Sequence, residues 1–322
     1  MSITHRQLEH ALLLARSGNF TQAAAEANVS QSAFSRSIRK LEDSLGVWLF
    51  DRTRGPVTPT AFGEVLLRRA KLAVSEVEEL EREISFLRGL DSGTLTVAFG
   101  IYPAEVSGNR AIADLVRLHP NLGFRVHVSN WEEVNRLVLS NAADVGFAAI
   151  DAALSDERFT VHPVSNHEMA LFVSCDHPLA NVPGITRVDL ENFPLVSIRV
   201  PSQLADAVPG KADLNQDTGF LVPAVEVDDF SSTRTIVAGG SGIGAVVPLQ
   251  IEASLQQGEF VLLDYARPWL SPTHGFILKR GRAISPAAQA FMDRVLDVEV
   301  DAGARNQDLI ERFHPGNKNP TL

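Results

Sequence analysis

The sequence has little cysteine and no long apolar run, and each scarcity excludes a class of protein. Its 322 residues include one cysteine, Cys175, which cannot form an internal disulfide or hold a structural zinc ion alone. No stretch approaches the roughly twenty apolar residues that a membrane-spanning helix requires. The histidines lack metal-ligand spacing, and neither G-x-S-x-G nor H-E-x-x-H occurs. We therefore expect no catalytic site, no metal and no cofactor.

The first residues do not form a typical secretory signal. His5, Arg6, Glu9 and His10 interrupt the segment where such a signal needs an unbroken apolar run. Together with the single cysteine, this predicts a cytoplasmic protein. The chain is also too long for one compact core, so we expect two or three domains.

The charge is distributed unevenly along the chain. The formal net charge is −10. Residues 1–89 contain 12 basic and 11 acidic side chains, whereas residues 90–322 contain 17 and 28. Because the acidity belongs to the second part, the acidic total does not exclude a nucleic-acid partner for the first part.

The first thirty residues predict two short helices. Thr4 and Gln7 form the pattern of a capping box. The apolar face of this first helix is then predicted from helical spacing to contain Leu8, Leu12 and Ala15. Thr21 is predicted to be the N-cap of a second, alanine-rich helix that runs to Ala27.

A third helix is predicted from about Gln31 to Leu45, with Ser30 as its N-cap and Gly46 at its end. Apolar residues recur in this helix at spacings of four, three and four, and we expect this stripe to be buried. It consists of Phe34, Ile38, Leu41 and Leu45. The segment 51–59 is rich in turn residues and predicts a small hairpin.

A long helix is predicted from Thr60 to about Leu87. Apolar side chains recur in it with a period of 3.5 residues, at Leu66, Ala70, Ala73, Val77, Leu80, Ile84 and Leu87. This narrow stripe favours a coiled-coil seam between two copies of the chain. The alternative is an amphipathic helix that packs on its own domain.

Residues 20–45 have the pattern of two helices joined by a short turn. The second helix has a polar face away from its apolar stripe, and the side chains of this face are of types that contact DNA. Gln31 can pair with adenine and Arg36 with guanine, while Ser32 and Ser35 offer small polar groups in the major groove. The alternative for each residue is a solvated surface group.

Other residues of this segment are expected to meet the DNA backbone. Arg39 and Lys40 would contact phosphates, and Arg52 and Arg54 would contact the backbone or the minor groove from the hairpin. Thr21 could bind a phosphate at a helix N-terminus. For Arg52, an ion pair with Asp51 is a competing interpretation.

From about residue 93, short β-rich runs alternate with helical patterns and predict an α/β region of two lobes with a largely parallel first sheet. The runs are GTLTVAFG, GFRVHVS, ADVGFAAI, MALFVSC, PLVSIRV, AVEVD, GAVVP, FVLLD and GFILKR. Helices are predicted at about 105–118, 131–141 and 230–238, and another opens at Ser285-Pro286. The glycine-rich segment 239–244 lacks G-x-G-x-x-G spacing and predicts a tight turn. The tail from about Ala302 is expected to be peripheral or mobile.

The segment FTQAAAEANVSQSAFSRSIRKLEDSLGVWLFDRTRGPVTPTAFG resembles the winged helix-turn-helix of LysR-type transcriptional regulators. The resemblance is specific over residues 3–65 and looser beyond, where the family has an effector domain similar to two-lobed periplasmic binding proteins. It implies that the last strand and helix return to the first lobe. The implied domains are a winged helix-turn-helix (1–59), a dimerising linker helix (60–89), lobe I (90–163 with 268–301), lobe II (164–267) and a tail (302–322).

The resemblance also suggests which residues face an effector in the cleft between the lobes. These are Ile101, Tyr102, Ser129, Asn130, Trp131, Ser197, Arg199, Ser202, Phe230 and Thr233. They offer hydroxyls, backbone amides, one cation and aromatic surface, which suits an anion or an aromatic metabolite. The alternative for each residue is packing within a lobe or exposure on a surface loop. The family often has serine or threonine after the first strand of this domain, where this chain has residues 100–103, GIYP.

The sequence thus predicts a sequence-specific DNA-binding transcriptional regulator, controlled by a small-molecule effector and not an enzyme. As a homodimer or homotetramer it would bind a roughly palindromic operator, with no membrane association. The alternative is an α/β enzyme or solute-binding protein with an N-terminal helical oligomerisation segment.

Overall fold

The computed structural model describes residues 3–52, 56–86, 93–201, 212–215, 220–265 and 270–315. The chain forms two compact units, residues 1–87 and 88–322. No helix in the described ranges is long and apolar enough to cross a membrane.

The first unit is a helical domain with a small hairpin. Its elements are α1 (His5–Ser17), α2 (Phe20–Glu26), α3 (Gln31–Leu45), β1 (Phe50–Asp51), β2 (Thr58–Pro59) and α4 (Ala61–Phe86). The Thr4 capping box is present, and the Ser30 hydroxyl caps α3. Gly46 ends α3 in a left-handed conformation that favours glycine. β1 and β2 pair in antiparallel fashion, so the predicted hairpin is present.

Three local predictions for this unit were wrong. Asn19, not Thr21, caps α2, because its Oδ1 accepts hydrogen bonds from the backbone N–H of Thr21 and Gln22 at 2.8 and 3.2 Å. In α1, the buried residues are His10, Ala11 and Leu14, since α1 contacts α2, α3 and α4 on several sides. Of the predicted apolar face, Ala15 packs partly buried against this core, while Leu8 and Leu12 are only half-buried. Leu45, in the last turn of α3, is 39% exposed.

The apolar stripe of α4 has two different environments. Ala70 is buried and Leu66 packs against the core of the helical domain, so the second interpretation, packing on its own domain, applies to this part. Further along, Leu80 and Ile84 are 55% and 47% exposed. The exposed apolar side chains of α4 also include Phe62, Val65 and Leu72. Leu87 lies outside the described residues.

The first sheet of the second unit contains five strands from two parts of the chain. They are β3 (Gly93–Gly100), β4 (Leu122–Ser129), β5 (Val145–Ala149), β6 (Phe159–Ser165) and β15 (His274–Lys279). Their order in the sheet is β4-β3-β5-β15-β6. β3 is parallel to β4 and β5, while β15 is antiparallel to β5 and β6. The chain therefore returns to this sheet near its end.

The strands between β6 and β15 form a second sheet and a smaller one. They are β7 (Ala170–Ser174), β8 (Leu195–Ser197), β9 (Val200–Pro201), β10 (Ala212–Asn215), β11 (Phe220–Pro223), β12 (Val225–Glu226), β13 (Ile243–Val246) and β14 (Phe260–Leu262). The second sheet has the order β12-β8-β13-β7-β14, and the small sheet has the order β10-β11-β9. The predicted glycine-rich turn precedes β13, and Gly240 adopts φ +96° there.

Helices cover both sheets. They are α5 (Ile101–Pro103), α6 (Asn109–Leu118), α7 (Trp131–Leu139), α8 (Asp151–Leu154), α9 (Arg187–Leu190), α10 (Phe230–Ala238), α11 (Glu252–Gln257) and α12 (Pro286–Phe313). A π-helical turn (Ala104–Gly108) joins α5 to α6, and a 3₁₀ turn (Pro248–Ile251) precedes α11.

The prediction of a peripheral tail was wrong. α12 continues through residue 313, and its side chains Ala302, Leu309 and Ile310 are buried. Asn306 fixes this part, since its Nδ2 donates to the carbonyl of Glu168 at 3.0 Å. Earlier in α12, Phe291 belongs to the core beside the first sheet, whereas Ala302 belongs to a core beside the second sheet. One helix therefore packs against both lobes.

Candidate nucleic-acid interface and ligand cavity

α3 carries a polar and basic face opposite its buried stripe. Phe34, Ile38 and Leu41 are fully buried and hold the helix on its domain. The opposite side presents exposed Gln31, Ser32, Arg36, Arg39 and Lys40, with Ser35 half-buried beside them. Within the described part of the chain, the two arginines and the lysine form no ion pair, so their charges are available to a partner.

Arg52 has a structural partner that the sequence analysis did not consider. Its Nη2 lies 2.6 Å from Oε2 of Glu42, a carboxylate of α3 whose side chain is only 1% exposed. Oε1 of Glu42 accepts hydrogen bonds from the N–H of Leu49 and Phe50 at 3.0 and 3.3 Å. The guanidinium also lies 5.0 Å from the ring centre of Phe20. Arg52 thus joins the hairpin to α2 and α3.

The other predicted DNA contacts have different positions. Thr21 is exposed in the first turn of α2, but its backbone N–H is already bonded to Asn19. The Asn19 side chain therefore competes with a phosphate for the amides at this helix N-terminus. Arg54 lies outside the described residues.

A cavity lies between the two sheets of the second unit. Its volume is about 90 Å³. The lining residues are Tyr102, Trp131, Ala149, Asp151, Met169, Leu195, Ser197, Ile198, Arg199, Val200, Ala245, Leu270, Pro272 and His274. Most of this wall is apolar, and several of these residues follow the carboxyl ends of strands, where open α/β sheets bind ligands.

The polar groups of the cavity are largely satisfied or neutral. Tyr102 is hydrogen-bonded to Ser197, and burial raises the pKa of Tyr102 to about 12. Nε of Arg199 donates to Oε1 of Glu226 at 2.6 Å. Burial lowers the pKa of His274 to about 4, so this imidazole is neutral near pH 7.

Four of the ten predicted effector residues meet at this cavity, namely Tyr102, Trp131, Ser197 and Arg199. Ser202 lies outside the described residues. The five others are not part of the lining, and several of them instead pack in a core or cap a helix. Ile101 and Phe230 pack in an apolar core, and the Thr233 hydroxyl bonds to the carbonyl of Asp229. Asn130 caps α7 by accepting from Glu133 N–H, and Ser129, at the end of β4, is half-buried.

Residues that sequence reasoning missed supply most of the wall. Ala149 and Ala245 come from different sheets, and Met169 and Leu270 form a bridge between the segments that connect the two lobes. No local pattern marks such residues, because apolar side chains at strand ends look the same as core side chains. His274 is one of the histidines whose spacing in the sequence indicates no site.

A buried polar cluster lies beside the cavity, where the chain passes from the first lobe to the second. The Ser107 hydroxyl donates to Oε1 of Glu299, and Nε2 of His167 lies 2.6 Å from Oε2 of the same carboxylate. Burial acts to raise the pKa of Glu299, but the hydrogen bonds from His167 and Ser107 outweigh it and lower the pKa. The cluster joins the π-helical turn, the interlobe segment and α12. In the described part of the chain, no group of acidic, histidine and cysteine side chains is arranged to hold a metal.

Both units match known families. Residues 5–64 match the bacterial regulatory helix-turn-helix protein family, lysR family, and residues 88–299 match the LysR substrate binding domain. The chain is 31% identical over 300 residues to the SDS degradation transcriptional activation protein of a Pseudomonas species, covering 92% of this chain and 96% of that protein. It is 27% identical over 292 residues to the HTH-type transcriptional regulator CfxR of Cupriavidus necator, covering 90% of each.

Solved structures share the fold. Full-length CbnR complexed with its target DNA matches with a TM-score of 0.60 at 17% identity, covering 92% of this chain and 100% of that chain. A cysteine-to-serine mutant of OxyR from Corynebacterium glutamicum, with H2O2 bound, matches with a TM-score of 0.53 at 18% identity, covering 96% of each chain. At these identities the likeness concerns the fold alone.

A winged helix-turn-helix unit and a two-lobed substrate-binding unit together define a DNA-binding regulator. The family matches cover most of the described residues, and the chain belongs to the LysR family of transcriptional regulators. It is a DNA-binding transcriptional regulator with an effector-binding domain. Because the relatives compared above are regulators, the alternative of an enzyme or solute-binding protein is not supported.

Proposed function

We propose that α3 reads the operator in the major groove, with Gln31, Ser32, Ser35 and Arg36 contacting bases and Arg39 and Lys40 contacting phosphates. The observation that carries this proposal is the exposed face of α3, whose cations lack ion-pair partners in the described part of the chain. A helix presents its N-terminal residues to base edges in this mode of docking. Thr21, Arg52 and Arg54 would contribute at the periphery, with Arg52 acting mainly through the geometry of the hairpin.

Two arginine variants of the full chain test these roles. Arg36→Ala should lower the preference for a selected operator over random duplex by roughly tenfold, since a bidentate base contact contributes about 1–3 kcal/mol. Arg39→Ala should weaken binding to both duplexes equally and reduce the salt slope by about one. Arg234→Ala, an exposed arginine of α10, is the matched control. Identical effects of Arg36→Ala and Arg39→Ala on the two duplexes would contradict the assignment.

We propose that a second copy of the chain covers the exposed apolar side chains of α4, including Leu72, Leu80 and Ile84. Isolated apolar residues are common on surfaces, but a row of them along one helix is typical of an interface. Leu80→Asp should lower the mass of the full chain measured by light scattering. Val188→Asp places the same charge at another exposed apolar position and should not change the mass. An unchanged mass for Leu80→Asp would contradict this interface.

We propose that the effector binds in the cavity between the lobes and controls binding to DNA in the cytoplasm. The volume of about 90 Å³ is smaller than the roughly 150 Å³ of a protein cavity that holds benzene. A ligand of that size would therefore need the lobes to separate, and a ligand that binds one lobe arrangement more tightly shifts the population towards it. The Trp131 and Tyr102 rings support the aromatic alternative among the expected effectors.

A ligand screen by thermal shift tests the cavity. Small aromatic compounds belong in the screen because of its aromatic wall, and alkyl compounds because one relative is named for SDS degradation. A hit should lose its effect when Ala245→Trp fills the cavity, while Ala253→Trp, at an exposed position of α11, should retain it. Hits unaffected by Ala245→Trp would place the effector elsewhere.

A further inference from the structure

The charge of the ligand cavity is set by an ion pair at its edge. Among the described lining residues, Arg199 is the one basic side chain of the lysine or arginine type. Its Nε lies 2.6 Å from Oε1 of Glu226. The two side chains are 46% and 31% exposed, so the pair lies at the mouth of the cavity. The sheet fixes this arrangement, because β12 pairs with β8 and places Glu226 beside Ser197, two residues before Arg199.

The remaining charge at the cavity is negative. Asp151, the first residue of α8, lines the cavity and is exposed, with no hydrogen bond or ion pair among the described contacts. His274 does not offset it, since burial keeps its imidazole neutral near pH 7. A carboxylate ligand would therefore have to displace Glu226 from Arg199 and also lie near Asp151, both of which oppose binding.

The uncharged part of the wall suits an apolar ligand. Met169, Leu195 and Leu270 supply apolar surface, and the hydroxyls of Tyr102 and Ser197 can exchange their mutual hydrogen bond for one to a ligand. A small number of polar groups in an apolar wall is typical of sites that orient a ligand by one hydrogen-bonding group.

We infer that the effector is an uncharged, mainly apolar small molecule with a hydrogen-bonding group, and that Glu226 sets this preference by neutralising Arg199. The inference rests on the proposed ligand cavity and deepens it. It replaces the anion expected from the sequence, because the cation that would bind the anion already has a partner.

Two pairs of probes that differ in charge test the inference with the full chain. These are benzyl alcohol against benzoate, and 1-octanol against octanoate. The wild-type protein should bind each alcohol at least tenfold more tightly than the matching carboxylate in calorimetric titrations. Glu226→Gln should raise the affinity for the carboxylates by about two- to fivefold and leave the alcohols unchanged, since a half-exposed charge contact contributes up to about 1 kcal/mol.

Glu252→Gln is the matched control, because Glu252 forms an ion pair with Arg305 away from the cavity. It should change neither affinity. Tighter binding of the carboxylates by the wild-type protein, or no change of any affinity in Glu226→Gln, would overturn the inference and leave the cavity in place. Failure of all four probes to bind either protein would instead contradict the cavity itself, and the inference with it.

Discussion

Replacement of Glu42 by glutamine should loosen the connection between helix α3 and the hairpin. The carboxylate accepts hydrogen bonds from two backbone N–H groups and from the Arg52 guanidinium, and its side chain is only 1% exposed. Glutamine retains an acceptor for the amides but turns a donor towards Arg52. A hydrogen bond to a charged group contributes about 1.5–3 kcal/mol. Because Arg52 is 31% exposed, we expect a loss near the lower end, about 2 kcal/mol.

Amide hydrogen exchange of the full chain measures this loss at its source. The N–H groups of Leu49 and Phe50 are the donors to Glu42. A loss of about 2 kcal/mol corresponds to an exchange rate roughly thirtyfold faster at these amides. Asp43→Asn, at the adjacent exposed carboxylate, is the control and should leave these rates unchanged. Equal rates in wild type and Glu42→Gln would refute the role given to this carboxylate.

Three further predictions concern polar side chains. His274 is protonated near pH 6.5 in the unfolded chain and only near pH 4 in the folded chain, because burial lowers its pKa. The free energy of unfolding of the second unit should therefore fall by up to about 3 kcal/mol as the pH falls between these values. In denaturant unfolding, His274→Gln should show a smaller pH dependence than the wild type. Glu299→Gln weakens the charge-assisted bond to His167 and should lower the unfolding temperature of the second unit by several degrees in calorimetry. Arg52→Lys should speed exchange at the Leu49 amide, and it should reduce the salt slope of DNA binding by less than Arg39→Ala does. A larger reduction of the salt slope by Arg52→Lys than by Arg39→Ala would contradict the structural role of Arg52.

The parts of the fold that depend on neighbouring residues could be predicted from the sequence. Ser30 and Gly46 mark the two ends of α3, because both act on the backbone of adjacent turns. The run GTLTVAFG coincides with β3, since a strand buried on both faces reads as a continuous apolar segment. The hairpin was predictable from its turn residues.

The parts that depend on distant contacts were missed. β6 was not predicted because it is an edge strand that contains Pro163 and is only partly buried. The end of α12 looked peripheral by composition, although Ala302, Asn306 and Leu309 recur at helical spacing and are buried. Glu42 was missed because an acidic residue in a helix is ordinarily exposed.

The candidate site also has a part that local sequence patterns predict and a part that depends on distant contacts. The residues of α3 could be chosen from the sequence because the buried stripe fixes the opposite face. The cavity could be chosen only in part, because its wall comes from both sheets. The pairing of Arg199 with Glu226, 27 residues apart in the chain, follows from strand order in the second sheet. Periodicity carries no information about that order.

The most direct test of the central claim, that the exposed face of α3 reads DNA sequence, is selection from a randomised duplex library followed by sequencing. The wild-type chain should enrich two related half-sites separated by whole helical turns. Arg36→Ala should lose the preference at one or two base pairs in each half-site and retain it at the others. Enrichment of no sequence by the wild-type chain, or an identical preference in Arg36→Ala, would contradict the claim.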